Sequence, residues 1–319
     1  MTLPIRQRGL ALIQVIFIIA LLTTIVSVIQ IDNRREILRT YQKLAQIQAH
    51  EYLISGESIA VQGLWLDRNL NNIDHLNEDW AQIFGPLPLD AGQEGKILPG
   101  LITVQISDLN SLFDLNGLVD KGAQGDLLQA AFENLLIGEN LSPSIALNLR
   151  QWFDDGSGSE YLYMNKPTPF QPSLRPMVDS SELKRIEGMS EPSFRLLEPL
   201  ITTLPTSGQY NLNTIDKKIL VALVPGIDKQ LIDSIIMNRE VSPYTSVNDL
   251  FNRNGISNKQ KKLFPADQFK VTSNYFRINC KVTLSGDEYY MQSVVHRSQD
   301  NKISILSRSF SFFVIKDEE

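Results

Sequence analysis

The sequence predicts an α+β fold: a long amino-terminal transmembrane and stem helix packed on a small antiparallel sheet, with a large helical domain inserted into that sheet. Three observations predict it. Residues 9–31 form an uncharged, apolar run. Two groups of segments, near residues 101–119 and 269–313, alternate apolar and polar side chains as half-buried strands do. Between those groups, residues 122–265 keep a helical period broken by short turns.

At about 1.5 Å per residue, the run LALIQVIFIIALLTTIVSVIQI is long enough to cross a hydrocarbon core of roughly 30 Å. A secretory signal peptide would have a shorter apolar core and a small-x-small cleavage site, and neither fits well. Arg6 and Arg8 before the run favour a cytoplasmic amino terminus, although Arg34, Arg35 and Arg39 after it reduce the asymmetry. No proline occurs between Pro4 and Pro86, and Leu38, Tyr41, Ala45, Tyr52 and Ile59 follow steps of three and four or their sums. One helix is therefore expected from the membrane to about residue 65. Gly56 and Gly63 are expected to loosen its far end, at about 1 kcal/mol each relative to alanine.

Residues 66–100 hold Gly85, Pro86, Pro88, Gly92, Gly95, Pro99 and Gly100 and read as a connection with short helical pieces. Leu101–Ser107 and Ser111–Val119 read as a strand hairpin. Phe269–Leu284, Tyr289–Arg297 and Ile303–Phe313 read as three further strands, with turns at Ser285-Gly286-Asp287 and Gln299-Asp300-Asn301. The expected organisation is a span at 10–31, a stem at 32–65, a β-domain from 66–119 and 269–319, and an inserted α-domain at 120–268.

Composition narrows the function classes. The net charge of −6 argues against a nucleic-acid partner, which would favour a basic stripe. Cys280 is the single cysteine, so no intrachain disulfide can form, and it reads as a free, half-buried thiol. His50, His75 and His296 lack metal-ligand spacing. No nucleophile elbow, Walker A run, H-E-x-x-H or Cys–His pair is found, so the chain reads as no enzyme. Asp108 and Asp114 flank the expected hairpin and read as exposed turn charges rather than an acid–base pair.

Two segments, Leu183–Met189 and Leu220–Ile227, look like the turns of helix-hairpin-helix units. In nucleic-acid enzymes such turns offer backbone amides to phosphate. Here Ser190 and Asp228 stand at the last turn position, and a carboxylate there repels phosphate, so helix packing is the expected role. The loop Asp154-Asp155-Gly156-Ser157-Gly158-Ser159-Glu160 concentrates carboxylates beside glycines, the hard-oxygen chemistry that Ca²⁺ takes. The EF-hand frame is missing, and composition alone favours a solvated turn. Asp179 is a weaker candidate ligand and reads better as a helix N-cap before Glu182.

A short basic leader, residues 1–9, ends in Gly9 and is followed directly by an apolar helix that continues as a stem. This resembles the class III signal of type IV pilins and pseudopilins. The resemblance implies cleavage of the Gly9–Leu10 bond by a prepilin peptidase, with methylation of the new amine of Leu10. The family's usual glutamate at the fifth mature position is replaced by Gln14. Further on stand Ser111-Leu112-Phe113-Asp114-Leu115-Asn116, Trp152-Phe153-Asp154-Asp155, Val178-Asp179-Ser180-Ser181-Glu182-Leu183, Gly188-Met189 and Tyr210-Asn211-Leu212-Asn213-Thr214. Their order and spacing resemble the K-type minor pseudopilin of the type II secretion system, although the loop after Asp155 is shorter than is common there.

That family characteristically lacks the glutamate, and Gln14 fits it. A buried carboxylate is tolerated when a neighbour's terminal amine neutralises it, so a subunit with none stacked above needs no such group. The resemblance implies a single-pass anchor in the bacterial inner membrane with the bulk of the chain in the periplasm. It also implies a place at the pseudopilus tip, starting or capping assembly for protein export, with I- and J-type minor pseudopilins as partners. It reverses the compositional preference at the acidic loop and makes Asp154, Asp155 and Glu160 the expected Ca²⁺ ligands. The alternative from another class is a membrane-anchored periplasmic module that binds secreted substrates or the outer-membrane channel.

Overall fold

The computed structural model describes residues 6–89, 100–154, 158, 160–166, 168–206, 208–284 and 286–310. Helix α1, Arg6–Leu70, is unbroken over 65 residues, about 100 Å at 1.5 Å per residue. Every residue from Leu12 to Leu44 is exposed, and burial begins at Ala45. Above that point the stripe Ala49, Leu53, Ala60 and Leu64 is buried against the sheet. Gly56 belongs to this stripe: a Cβ there would lie 2.7 Å from Ile102 Cδ1 and 3.1 Å from Val104 Cγ2. The glycine therefore permits close approach rather than loosening the helix, which runs through Gly63 to Leu70.

Strands β1 (Phe84–Leu89) and β2 (Gly100–Asp108) follow the stem. A mainly helical region then holds β3 (Phe113–Asp114), α2 (Ala123–Gly138), α3 (Ser144–Phe153), α4 (Glu160–Met164) and α5 (Glu191–Leu197). It continues through β4 (Ile201–Thr202), β5 (Tyr210–Asn211), α6 (Lys217–Leu223), α7 (Lys229–Val241), α8 (Val247–Arg253) and α9 (Asn258–Lys261). The chain returns through β6 (Phe269–Lys270) to β7 (Tyr275–Leu284), β8 (Asp287–Arg297) and β9 (Ile303–Ser309). The main sheet is antiparallel in the order β1-β2-β7-β8-β9. Phe276, Ile278, Cys280, Val282 and Leu284 of β7 alternate onto its stem-facing side.

Two expectations are corrected. Residues 84–89, read as part of a connection, form edge strand β1, whose prolines leave one side without donors and suit it to an edge. Residues 111–119 are not the second strand of a hairpin. They form short 3₁₀ turns around β3, which pairs in parallel with β4, and Phe113, Leu115 and Leu118 enter the core of the helical region. Asp108 and Asp114 cause this: each side chain accepts a backbone N–H two residues on, which replaces ladder pairing with a turn.

The helical region sits at the sheet end where α1 finishes, away from the apolar run. Asp74 N donates to Val271 O at 2.9 Å and Asn77 Nδ2 donates to Glu240 O at 3.2 Å, which ties the chain just past Leu70 to that region.

Candidate functional site

Sheet, stem and helical region meet in a buried polar junction. Arg297 of β8 is 1% exposed. Its Nη1 donates to Leu64 O at 3.1 Å and lies 3.4 Å from Asp67 Oδ2, both on the last turns of α1. Its Nη2 donates to Asp74 Oδ1 and, at 3.0 Å, to Ser273 O. Glu78 accepts from Trp80 Nε1 at 2.6 Å, His75 N at 2.9 Å and Asn71 Nδ2 at 2.6 Å. Oxygens of Asp67, Asp74 and Glu78 lie within 4.8 Å of one another, a spacing that could suit a metal. Here the guanidinium supplies the positive charge and hydrogen bonds occupy the other oxygens, so the cluster works as a latch. Burial, reinforced by the charges of Glu78 and Asp74, pushes the Asp67 carboxyl up to about 7.

Beside it lies a network built from the asparagine-rich motifs. Asp108 Oδ2 accepts from Thr214 Oγ1 and Ser273 Oγ, each at 2.5 Å. Asn110 Oδ1 accepts the amides of Asn274 and Tyr275 at 2.9 and 3.0 Å, while its Nδ2 donates to Gln209 O at 2.9 Å. Asn211 Nδ2 donates to Asp74 O at 3.0 Å. Asn116 bridges Met177 and Leu204, and Asn213 pairs with the backbone of Tyr244. These side chains satisfy backbone groups in buried loops and fix the helical region on the sheet. Asp108 and Asp114 are thus 5% and 2% exposed rather than surface charges.

The Gly9–Leu10 bond, the expected processing site, lies within the first turns of α1, and Gln14 is exposed on the same helix. Asp154 caps the C-terminal end of α3, with Oδ1 2.6 Å from Lys121 Nζ. Asp155 lies outside the described residues, as does the side chain of Glu160, which opens α4. Asp179 forms a capping box with Glu182. Asp228 and Ser190 cap α7 and α5, and the preceding Gly226 and Gly188 both have φ of 88°, so both turns are built for chain reversal. The segment before Gly188 is a 3₁₀ turn rather than a helix. Cys280 is fully buried, not half-buried, and burial pushes its thiol up to about 12. The Arg297 latch escaped sequence reasoning, because its members come from three separated segments.

Two family profiles, both described as "Type II secretion system (T2SS), protein K", match residues 111–206 and 210–272. The type II secretion system protein K of Pseudomonas aeruginosa is 26% identical over 95% of this chain and 92% of its own length. That of Pectobacterium carotovorum subsp. carotovorum is 25% identical over 96% of this chain and 97% of its own. A chain in the crystal structure of the GspK-GspI-GspJ complex from the enterotoxigenic Escherichia coli type 2 secretion system shares the fold. Its TM-score is 0.71 at 24% identity, over 86% of this chain and 100% of that one. A stem helix on an antiparallel sheet, a helical region stitched to that sheet by its asparagine motifs, and matches along nearly the whole length lead to one conclusion: the chain belongs to the protein K family of the type II secretion system, a family of minor pseudopilins.

Proposed function

We propose that this chain is the tip subunit of the pseudopilus, starting or capping its assembly for protein export across the outer membrane. The observation that carries the reading is the placement of the helical region at the end of α1 opposite the apolar run. Its bulk obstructs a further subunit above, and Gln14 agrees, since a subunit with no neighbour above has no terminal amine to neutralise. The exposed stem, with Ile37, Leu38, Tyr41, Leu44 and Ile47 unburied, is the surface for I- and J-type stems. A prepilin peptidase cuts at Gly9–Leu10, leaving the span in the inner membrane and the rest in the periplasm. Co-expressed with I- and J-type partners, the region beyond the span should co-purify as a three-protein complex. Separate elution of all three would overturn the partner assignment.

Calcium is the proposed ligand of the loop, held by Asp154, Asp155 and Glu160, where it would neutralise the clustered carboxylates and fix the loop between α3 and α4. Saturating Ca²⁺ at 100 times its dissociation constant should stabilise the fold by about 2.7 kcal/mol. Chelation should lower the melting temperature of the parent but not of the Asp155→Ala/Glu160→Ala variant. Identical parent curves with Ca²⁺ and with chelator would remove the ion. Exposed apolar side chains on the helical region, among them Tyr161, Val178 and Val241, favour a second reading in which this surface contacts secreted substrates or the outer-membrane channel.

A further inference from the structure

We infer that the outer face of the sheet, where β7, β8 and β9 meet the helical region, is a docking groove for an extended acidic peptide of another protein, with Arg277 as the group that pairs with its carboxylate.

The register of the sheet puts Arg277 there. Phe276, Ile278 and Cys280 of β7 face the stem, so Arg277 between them projects from the opposite face. It stands beside Val294 of β8, which stands beside Ser307 of β9. Those three residues floor a cavity of about 440 Å³. Its wall is built by residues 176–180 together with Thr202, Thr203 and Pro205. Thr203 Oγ1 joins the two segments by donating to Val178 O at 3.2 Å.

Arg277 brings a positive charge that nothing in contact neutralises. Its Nε is buried with no hydrogen-bond partner among the described residues. Asp179 and Glu198 reach it through their charge alone, and both are exposed, so solvent and salt screen them. Burial meanwhile holds its guanidinium below the ordinary arginine value, because a cation taken out of water unpaired is disfavoured. A carboxylate laid along the planar guanidinium would accept two parallel N–H bonds and supply the missing negative charge.

Shape and lining select a peptide over a free ion. A second hollow of about 300 Å³ adjoins the first, with Asn116, Pro176 and Pro205 lining both. Leu109, Met177, Val178, Val294 and Leu306 give the main cavity apolar surface, while Thr202 and Gln292 offer hydrogen-bonding groups to a main chain. Val178 is 78% and Leu306 44% exposed, apolar area that a small ion would leave uncovered. The groove lies on the sheet face opposite the stem, so its occupancy stands or falls separately from the tip assignment.

The test uses the full-length chain in lipid nanodiscs with fluorescein-labelled pentapeptides, Ala-Val-Glu-Val-Ala and Ala-Val-Gln-Val-Ala, read by fluorescence anisotropy. The Glu peptide should bind at least about ten-fold tighter than the Gln peptide. Arg277→Gln should erase that ratio without lowering the melting temperature, since the guanidinium has no paired charge to leave behind. Val178→Glu, an exposed change in the same cavity, should weaken binding of the Glu peptide with Arg277 in place. Unlabelled N-acetylglutamate amide should compete at least about ten-fold more weakly than the unlabelled Glu peptide, because it covers little of the apolar lining. Equal affinity for the two peptides, no binding of either, a ratio that survives Arg277→Gln, or equal competition by N-acetylglutamate amide would overturn the groove.

Discussion

Asp114 holds one carboxylate oxygen against the amides of Leu204 and Asn116, at 3.0 and 3.1 Å, while Oδ2 is buried without a partner among the described residues. Burial pushes its carboxyl up to about 7, that of Asp108 to about 6 and that of Asp67 to about 7. Each folded carboxyl therefore keeps its proton more tightly than the unfolded chain, where carboxyls ionise near ~4. The cost of ionising them is absent below about pH 4 and complete above about pH 7, so this contribution to stability falls as pH rises. The region beyond the membrane span should melt at a higher temperature near about pH 5.5, inside that window, than near about pH 8, above it. Asp114→Asn removes the charge and should flatten the pH slope by up to about 1.4 kcal/mol per unit, the full weight of one proton. An unchanged slope in melts across that range would show that Asp114 does not titrate there. Gly226 gives a simpler case: its φ is 88°, and an added Cβ would meet only Leu263 Cδ1, at 3.9 Å. Gly226→Ala should therefore cost about 1–2 kcal/mol through backbone strain alone, readable by urea denaturation.

At the scale of elements, the stem is held twice: through the buried stripe from Ala49 to Leu64, and through Arg297, which reaches Leu64 O and Asp67 from β8. Arg297→Met should destabilise the fold by about 3–5 kcal/mol, because Asp74 would remain buried and uncompensated. Adding Asp74→Asn should recover part of that loss in equilibrium unfolding, and a double variant no better than the single would separate Asp74 from the effect. The elements were unequally legible. The stem and strands β7 to β9 show in the sequence because one face is apolar at a fixed period. β1 hid behind Gly85, Pro86 and Pro88, which signal a turn unless the strand lies at an edge. Residues 111–119 alternate as a strand would, yet side-chain turns at Asp108 and Asp114 outweighed that pattern.

For the whole molecule, the sequence motifs proved more informative about joining than about chemistry. Asn110, Asn116, Asn211 and Asn213 each bond to residues at least 31 positions away, a role that composition cannot reveal. Asp179 shows the opposite case, since a local N-cap pattern ahead of Glu182 was enough to place it. The outcome is a stem exposed from Leu12 to Leu44 with the bulk of the chain gathered at its far end, and the proposed tip role rests on where that bulk sits. The position of that bulk on an assembled fibre is the most direct measurement. With one small electron-dense label at Lys217→Cys on α6, microscopy of purified pseudopili should find the label at a single end of each fibre. Labels spaced along the shaft would contradict the tip assignment.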